Sequence, residues 1–225
     1  MPRKFKAVDI GKTASAATII FNALRKAIVE GDLSEGEPLR QDEIARMFNT
    51  SRIPVREALT MLEQQGLVKT ERYKGAVVAT LSMQEAAEIF DFRALLEAEV
   101  IRQAVLQMTP ELLDKAEGFL ERFAQATDPM EYGDLNRAFH GTLYEASGLP
   151  YHLQIIGNSM DRIDRYLRAQ LVLSDGMSRA DREHRMILDA CRNNQAEEAA
   201  KLTAEHILGA KETLEAHILK PERNT

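Results

Sequence analysis

The segment from residue 41 to residue 66 most restricts what this chain can fold into, because it holds two helical patterns separated by only a few residues. Asn49 tolerates the left-handed backbone conformation with which a chain leaves one helix and turns sharply. Ser51 is a favourable N-cap for the next helix, and Pro54 falls in its first turn, where a missing N–H costs little. Gly66 ends the second pattern. Two helices joined by such a turn form a helix-turn-helix unit.

The flanking sequence extends this unit into a winged helix. An amphipathic pattern predicts a preceding helix over residues 16–29. Two β-compatible runs at 67–70 and 76–79 are joined by a loop that contains glycine, which is the pattern of a hairpin wing. We therefore expect a winged helix DNA-binding domain over residues 13–80, preceded by a flexible basic arm over residues 1–12.

The remainder of the chain, residues 81–225, shows helical patterns only. Ser82 and Glu85 have the spacing of a capping box, and Ser178 with Asp181 is predicted as a second capping pair. The pattern predicts helices over 83–107, 110–126, 130–147, 150–173, 179–193 and 195–219, each within three residues. The predicted fold is thus mostly α, with an N-terminal winged helix and a C-terminal all-helical bundle over residues 81–225.

Charge and composition limit the partners and the compartment. The net charge is −6, but residues 1–81 hold 13 Lys and Arg against 10 Asp and Glu, whereas the remainder holds 16 against 25. A positive domain tied to an acidic one is compatible with DNA binding. The single cysteine excludes a disulfide within the chain, and no apolar run approaches the roughly 18 residues of a membrane span. We expect a cytoplasmic protein with no signal peptide and no membrane partner.

The predicted second helix of the helix-turn-helix carries a set of residues suited to DNA. Its N-terminal end, which meets base edges when such a helix enters the major groove, holds Ser51, Arg52, Ile53 and Arg56. Arginine can bind guanine O6 and N7 in a bidentate manner. Lys74 at the wing tip suits a phosphate or minor-groove contact, and Gly75 permits close backbone approach. The alternative is that Arg52 and Arg56 are ordinary solvated charges; the ordered turn, capped helix and wing favour the DNA interpretation.

Three of the five histidines, His140, His184 and His206, fall on predicted inward faces of the bundle. Asn136 lies four residues before His140 and shares its helix face. Three imidazoles and an amide oxygen could converge on a divalent metal, and imidazole suits Zn, Ni, Fe or Cu. Alternatively, each histidine is buried and satisfied by a hydrogen bond. Burying several unpaired imidazoles is costly, which favours the metal.

Three histidines with an open position are also a pattern of zinc hydrolases. Such an enzyme needs a general base directed at the metal-bound water. Glu183 and Glu205 each directly precede a histidine, so each points about 100° away around its helix. No His-Glu-x-x-His run exists, and we expect no enzyme. A third interpretation is a DNA binder whose metal is only structural.

The N-terminal region closely resembles the DNA-binding domain of GntR-superfamily transcription regulators. The resemblance rests on Leu24-Arg25…Ile28…Gly31-Asp32-Leu33…Gly36…Leu39 and on Ser51-Arg52-Ile53-Pro54-Val55-Arg56-Glu57-Ala58-Leu59…Leu62…Gly66-Leu67-Val68. It implies a homodimer on a pseudo-palindromic double-stranded operator. The family's DNA contacts would correspond to Arg40, Ser51, Arg52, Ile53, Pro54, Arg56, Lys74 and Gly75. The chain departs from some members at Asp42, where they carry arginine.

Residues 83–215 resemble the helical ligand-binding domain of the FadR subfamily, through Arg93…Glu97, Phe139-His140, Glu183-His184 and His206-Ile207. This resemblance implies a divalent metal (Zn, Ni, Fe or Mn) held by an aspartate and three histidines. The aspartate position is Asn136 here, and an amide oxygen ligates without charge. The resemblance also implies a small organic acid held by the metal and Arg93. Arg93 has an alternative role as an ion-pair partner of Glu97 on the same helix face.

Together these resemblances imply a regulator, usually a repressor, whose operator affinity is controlled by a carboxylate effector. The alternative is a DNA-binding regulator whose metal is only structural, or which senses the metal itself.

Overall fold

A computed structural model describes residues 15–127, 129–172 and 176–218. Within these residues the elements, in chain order, are α1 (Ala16–Glu30), α2 (Gln41–Met47), α3 (Arg52–Gln64), β1 (Val68–Glu71), β2 (Gly75–Val78), α4 (Met83–Val105), α5 (Pro110–Gln125), α6 (Pro129–Glu145), α7 (Pro150–Val172), α8 (Gly176–Arg192) and α9 (Ala196–Ile218). The described residues divide into two compact units: the first holds residues 32–79 and α1 up to Ile28, and the second holds residues 29–31 and the chain from Thr80 onward. The predicted arm over residues 1–12 lies outside the described residues.

In the first unit, α1, α2 and α3 surround one apolar core. Ile20, Ile44, Val55 and Leu62 are all buried there, the last two completely. Full burial of such a side chain contributes about 1.5–3 kcal/mol, so the inner faces of the three helices fix their mutual packing. The core thereby holds α3 by one face and leaves its other face outside.

The turn between α2 and α3 forms as predicted, with one difference. Asn49 adopts φ 47°, the left-handed conformation expected of it, and Pro54 is the third residue of α3. Ser51 occupies the N-cap position, as predicted, although its side chain makes no capping hydrogen bond to the first turn of α3. The Ser51 side chain instead lies exposed at the front of the helix.

The wing is a two-stranded antiparallel sheet in which Val68 pairs with Val78 and Glu71 pairs with Gly75. The hairpin was predicted, but its loop is shorter than expected and contains only the three residues between Glu71 and Gly75. Tyr73 in this loop has φ 70°, a conformation that glycine or asparagine adopts more readily.

The second unit contains the six helices α4 to α9, and their ends agree with the predicted ones within three residues. The mostly α fold with a small hairpin wing is confirmed. Ser82 and Glu85 form a complete capping box at the start of α4, as predicted. The predicted capping pair Ser178 and Asp181 is wrong, because α8 begins earlier, at Gly176. Asp181 instead pairs with Arg185 one turn later on the same helix.

In the second unit α4 packs along α9, and α5 packs against α6 and α8. The main core contains large side chains such as Phe90, Phe139 and Ile187, each at most 1% exposed. Polar side chains are buried among them, and these form the second candidate site described below. Among the described helices, none combines the length and apolar character needed to cross a membrane.

Candidate DNA-binding surface and candidate metal centre

The N-terminal end of α3 faces solvent. Arg52, Ile53 and Arg56 are exposed, and Ile53 retains 61% of its accessible surface although it is apolar. On the face of α3 that packs into the core, Val55 and Ala58 are completely buried. Burial of one helix face therefore presents the two arginines, four residues apart, on the opposite face. This is the arrangement required of a recognition helix.

The other residues predicted to contact DNA are less uniform in their surroundings. Arg40 is exposed just before α2 and lies 3.8 Å from Glu43. Pro54 is half-buried, and Gly75 is exposed at the start of β2. Lys74 is exposed and lies 3.0 Å from Glu71, so part of the wing's positive charge is already compensated. Hydrogen bonds from Lys74 and then Lys69 lower the pKa of the Glu71 carboxyl.

On this unit the structure adds one residue that sequence reasoning missed and one contact that it did not predict. Tyr73 at the wing tip is 92% exposed, and the Arg72 guanidinium lies 5.0 Å above its ring centroid. An aromatic residue in a hairpin loop was the available signal. Asp42, noted as a departure from some relatives, forms an ion pair with Arg52. That pair places the Arg52 guanidinium near the start of α2.

In the second unit the three predicted histidines come together. His140 lies on α6, His184 on α8 and His206 on α9, and all are buried. One ring nitrogen from each lies within 4.8 Å of the others, and Nε2 of His140 is 3.2 Å from Nε2 of His184. Nitrogens bound about 2.0–2.1 Å from one tetrahedral ion lie about 3.3 Å apart. The cluster is therefore close to the size of a metal site.

The electrostatics of the cluster also fit a metal. Burial lowers the pKa of His140 well below its ordinary value, with further contributions from His206 and Arg93. Burial, then His206 and His140, lower the pKa of His184 in the same way. Both imidazoles are thus held neutral, the form that ligates a cation. Among the described residues, the Nδ1 atom of His184 has no hydrogen-bond partner, whereas its Nε2 faces His140.

Asn136 lies one turn before His140 on α6 and is buried, 6% exposed. A buried amide carries two donors and a carbonyl oxygen with two lone pairs, so it can offer a neutral oxygen ligand. Its position on the same helix face as His140 agrees with the sequence-based expectation.

A buried chain of polar contacts leads from the cluster to α4. The Tyr144 hydroxyl lies 3.3 Å from Nδ1 of His140 and donates a 2.8 Å hydrogen bond to Glu97. Arg93 Nε donates a 2.6 Å bond to the other oxygen of Glu97. The predicted ion pair of Arg93 and Glu97 therefore exists. However, Nη1 of Arg93 is buried and has no hydrogen-bond partner in the described part of the chain, so it remains a candidate donor for a ligand.

On the other side of the cluster, Glu183 accepts a 2.7 Å hydrogen bond from Nδ1 of His206. Sequence reasoning placed Glu183 about 100° away from His184 and set it aside. It missed that this direction leads to a histidine on the neighbouring helix. Tyr144 was also missed, although its position four residues after His140 on one helix face was an available signal.

Comparisons with known proteins agree with this architecture. The model of the family described as bacterial regulatory proteins, gntR family, matches residues 17–78, and the FCD domain model matches residues 88–209. An uncharacterized HTH-type transcriptional regulator of Bacillus subtilis, YdhC, is 30% identical over 196 residues, which are 84% of each chain. The gluconate operon transcriptional repressor of the same organism is 34% identical over 150 residues, 65% of this chain and 61% of its own.

Solved structures show the same fold. Escherichia coli McbR/YncC superimposes with a TM-score of 0.79 at 23% identity, covering 92% of this chain and all (100%) of that one. A GntR family transcriptional regulator from Pseudomonas syringae pv. tomato gives a TM-score of 0.54 at 31% identity, with 90% and 86% of the two chains covered. The chain therefore belongs to the gntR family of bacterial regulatory proteins: it is a DNA-binding transcription regulator with an FCD domain, and not an enzyme.

Proposed function

We propose that this regulator is a cytoplasmic repressor that binds a pseudo-palindromic operator as a homodimer. A small organic acid, bound beside a divalent metal in the helical unit, changes its operator affinity. The observation that carries the proposal is the coexistence of two sites in one chain. An exposed arginine pair lies on α3, and a buried histidine cluster lies next to an arginine with a free donor.

The proposed DNA contacts divide by role. Arg52 and Arg56 read bases, with the Ser51 hydroxyl and the exposed Ile53 beside them and Pro54 shaping the helix start. Arg40 and the wing residues Lys74 and Gly75 approach the phosphate backbone. Each recognition helix of the dimer enters the major groove of one half-site.

The proposed metal ligands are Asn136, His140, His184 and His206, all neutral groups. The proposed ion is a divalent metal, Zn, Ni, Fe or Mn. When bound, it would act as a Lewis acid and attract an anionic ligand. Since none of the four ligands carries charge, the positive charge of the ion remains uncompensated by its ligands in a buried site. The free Nη1 donor of Arg93 adds a second attraction for a carboxylate. This supports an anionic effector over a neutral one.

The names of relatives support the sign of regulation. One relative is named as a repressor of the gluconate operon, and a further one from Escherichia coli, 28% identical over 196 residues, is named as the repressor GlaR. We propose that binding of the acid changes the spacing of the two recognition helices in the dimer, and thereby the affinity for the operator.

A second candidate function is a regulator whose metal is structural or is itself the signal. The burial of His140 and His184, at 1% and 0% exposed, favours it, because an enclosed site suits a permanent ion. The two candidates differ in one observable. Only the effector model predicts that an organic acid binds the metal-loaded protein and does not bind the metal-free one with comparable affinity.

The experiment selects operator sequences from random duplexes with the full-length protein and then measures binding to the selected duplex. We expect a two-fold symmetric motif, one dimer per duplex, and one metal ion per chain by elemental analysis. Selection of no motif would contradict the DNA-binding proposal. A chain that purifies without metal and takes up none on addition would contradict the metal proposal while leaving the first intact.

A further inference from the structure

Two of the three clustered histidines, His206 and His140, each have a hydrogen-bond partner at Nδ1. His206 is backed by Glu183, and Glu183 Oε1 lies 3.6 Å from Arg179 Nε. Arg179 is itself anchored on α9, where it donates to the Gly209 carbonyl at 2.6 Å and to the Thr213 hydroxyl at 2.7 Å. The support of His206 is therefore a chain of arginine, carboxylate and imidazole.

His140 has a comparable support with one additional member. Arg93 donates to Glu97, Glu97 accepts from the Tyr144 hydroxyl, and the Tyr144 oxygen lies against Nδ1 of His140. An ionised carboxylate only accepts hydrogen bonds, so both Arg93 and Tyr144 donate to Glu97. Since Tyr144 gives its single proton to Glu97, its oxygen is left to accept from the Nδ1–H of His140.

The Glu183 carboxylate likewise only accepts, so Nδ1 of His206 carries the proton of their hydrogen bond. In a neutral imidazole one nitrogen is then a donor and the other has a free lone pair. Both His140 and His206 are consequently fixed as the tautomer with the proton on Nδ1 and the lone pair on Nε2. Nε2 of His140 is also the atom that faces His184.

We propose that Glu183 and Tyr144 are positioning residues of the candidate metal centre, which set the tautomer and ring orientation of His206 and His140 so that Nε2 of each binds the ion. This inference rests on the metal site proposed above. Outer partners of this kind orient ligand histidines and raise their basicity. His184 is held differently: its ring packs against Phe123 and Phe139, and no residue that the structure describes forms a hydrogen bond to its Nδ1.

The test measures the dissociation constant of Zn²⁺ by competition with a chelator in the full-length protein. Glu183→Gln keeps an oxygen acceptor but removes the charge, and we expect about 10-fold weaker binding. Glu183→Ala and Tyr144→Phe remove the acceptor, and we expect up to about 100-fold weaker binding. If the three variants bind Zn²⁺ as the parent does, the contacts only join helices and the proposal is wrong.

Matched controls remove equivalent groups elsewhere. Glu117→Gln removes the charge of a carboxylate that pairs with Arg192 on another helix, and Tyr166→Phe removes a hydroxyl that donates a 2.7 Å hydrogen bond to the Leu81 carbonyl. Both should change the Zn²⁺ dissociation constant less than about 2-fold. A parent chain that binds no Zn²⁺ would remove the proposed metal site itself, whereas a normal parent with unaffected variants removes only this inference.

A second measurement needs no variant. The parent protein, loaded with the spin-active isotope of cadmium, should show metal–nitrogen coupling to Nε2 of His140 and of His206 in proton–nitrogen correlation spectra. Coupling to Nδ1 of either histidine would overturn the proposal, because that nitrogen would then not be available to Glu183 or Tyr144.

Discussion

The two candidate sites of this molecule are built in opposite ways. On α3 the functional side chains point outward, and only the opposite face, with Val55 and Ala58, is buried. At the histidine cluster the functional side chains are themselves buried and hold one another through hydrogen bonds. The comparison indicates that residues of the first site can be removed without loss of stability, whereas residues of the second site serve binding and folding together.

The largest expected effect lies in the buried site. His140→Ala removes a proposed ligand, and we expect Zn²⁺ affinity to fall at least about 100-fold, the upper end of what loss of an outer-shell partner causes. It should also lower the free energy of unfolding, because Tyr144 loses a partner in the core. Elemental analysis and thermal unfolding measure both. His152→Ala, outside the cluster, is the control, and an unchanged metal content in His140→Ala would contradict the site.

The second largest effect is expected at the exposed site, where a substitution should change operator affinity and leave stability unchanged. Arg56→Ala should weaken operator binding by about 1–3 kcal/mol and relax base preference at one position in each half-site. The melting temperature should stay the same, since the Arg56 side chain is exposed. Fluorescence anisotropy with operator and scrambled duplexes measures this, with Arg185→Ala on α8 as a control. Equal affinity of the Arg56 variant would show that α3 does not read bases.

The buried site should also make the stability of the protein depend on pH. The lowered pKa values of His140 and His184 mean that unfolding releases them to their ordinary value near 6.5. Below that pH the unfolded state binds more protons than the folded state, so the stability of the metal-free protein falls as the pH falls. Denaturant unfolding between about pH 7 and pH 5 tests the sign. His184→Gln removes one such group and should flatten the dependence; a parent protein equally stable across this interval would contradict the shifts.

The smallest effect is expected at the wing. Lys74→Ala should reduce affinity for all duplexes alike and lower the slope of log affinity against log salt by about 1. The loss is limited because Glu71 already compensates part of this charge. Lys201→Ala, an exposed lysine on α9, is the control. A change in base preference at Lys74→Ala would place the wing in direct contact with bases instead.

Sequence patterns were sufficient for the elements and for the faces of helices. The 3.6-residue period placed α4 to α9 within three residues and turned His140, His184 and His206 inward, because periodicity determines burial. The 3.6-residue period could not predict the contact of Glu183 with His206. It depends on how α8 and α9 are aligned along each other, which is set by packing across the whole interface and not by either helix alone.

Local spacing did not specify which side-chain contacts form. Ser178 and Asp181 have the spacing of a cap, yet α8 begins at Gly176 and Asp181 pairs with Arg185. Ser51 is in the correct position for a cap but makes no such bond. Asp42 was noted only as a departure from relatives, and its ion pair with Arg52 required the folded turn. Such pairings depend on side-chain geometry that spacing does not specify.

The proposed coupling between effector binding and operator binding is tested most directly by one titration. Metal-loaded protein is bound to its selected operator, and small organic acids, beginning with sugar acids, are added while operator affinity is recorded. We expect at least one acid that binds the protein to change operator affinity by about 5–150-fold, and His140→Ala to abolish the change. An acid that binds the protein tightly by calorimetry and leaves operator affinity unchanged would show that effector binding does not control operator binding.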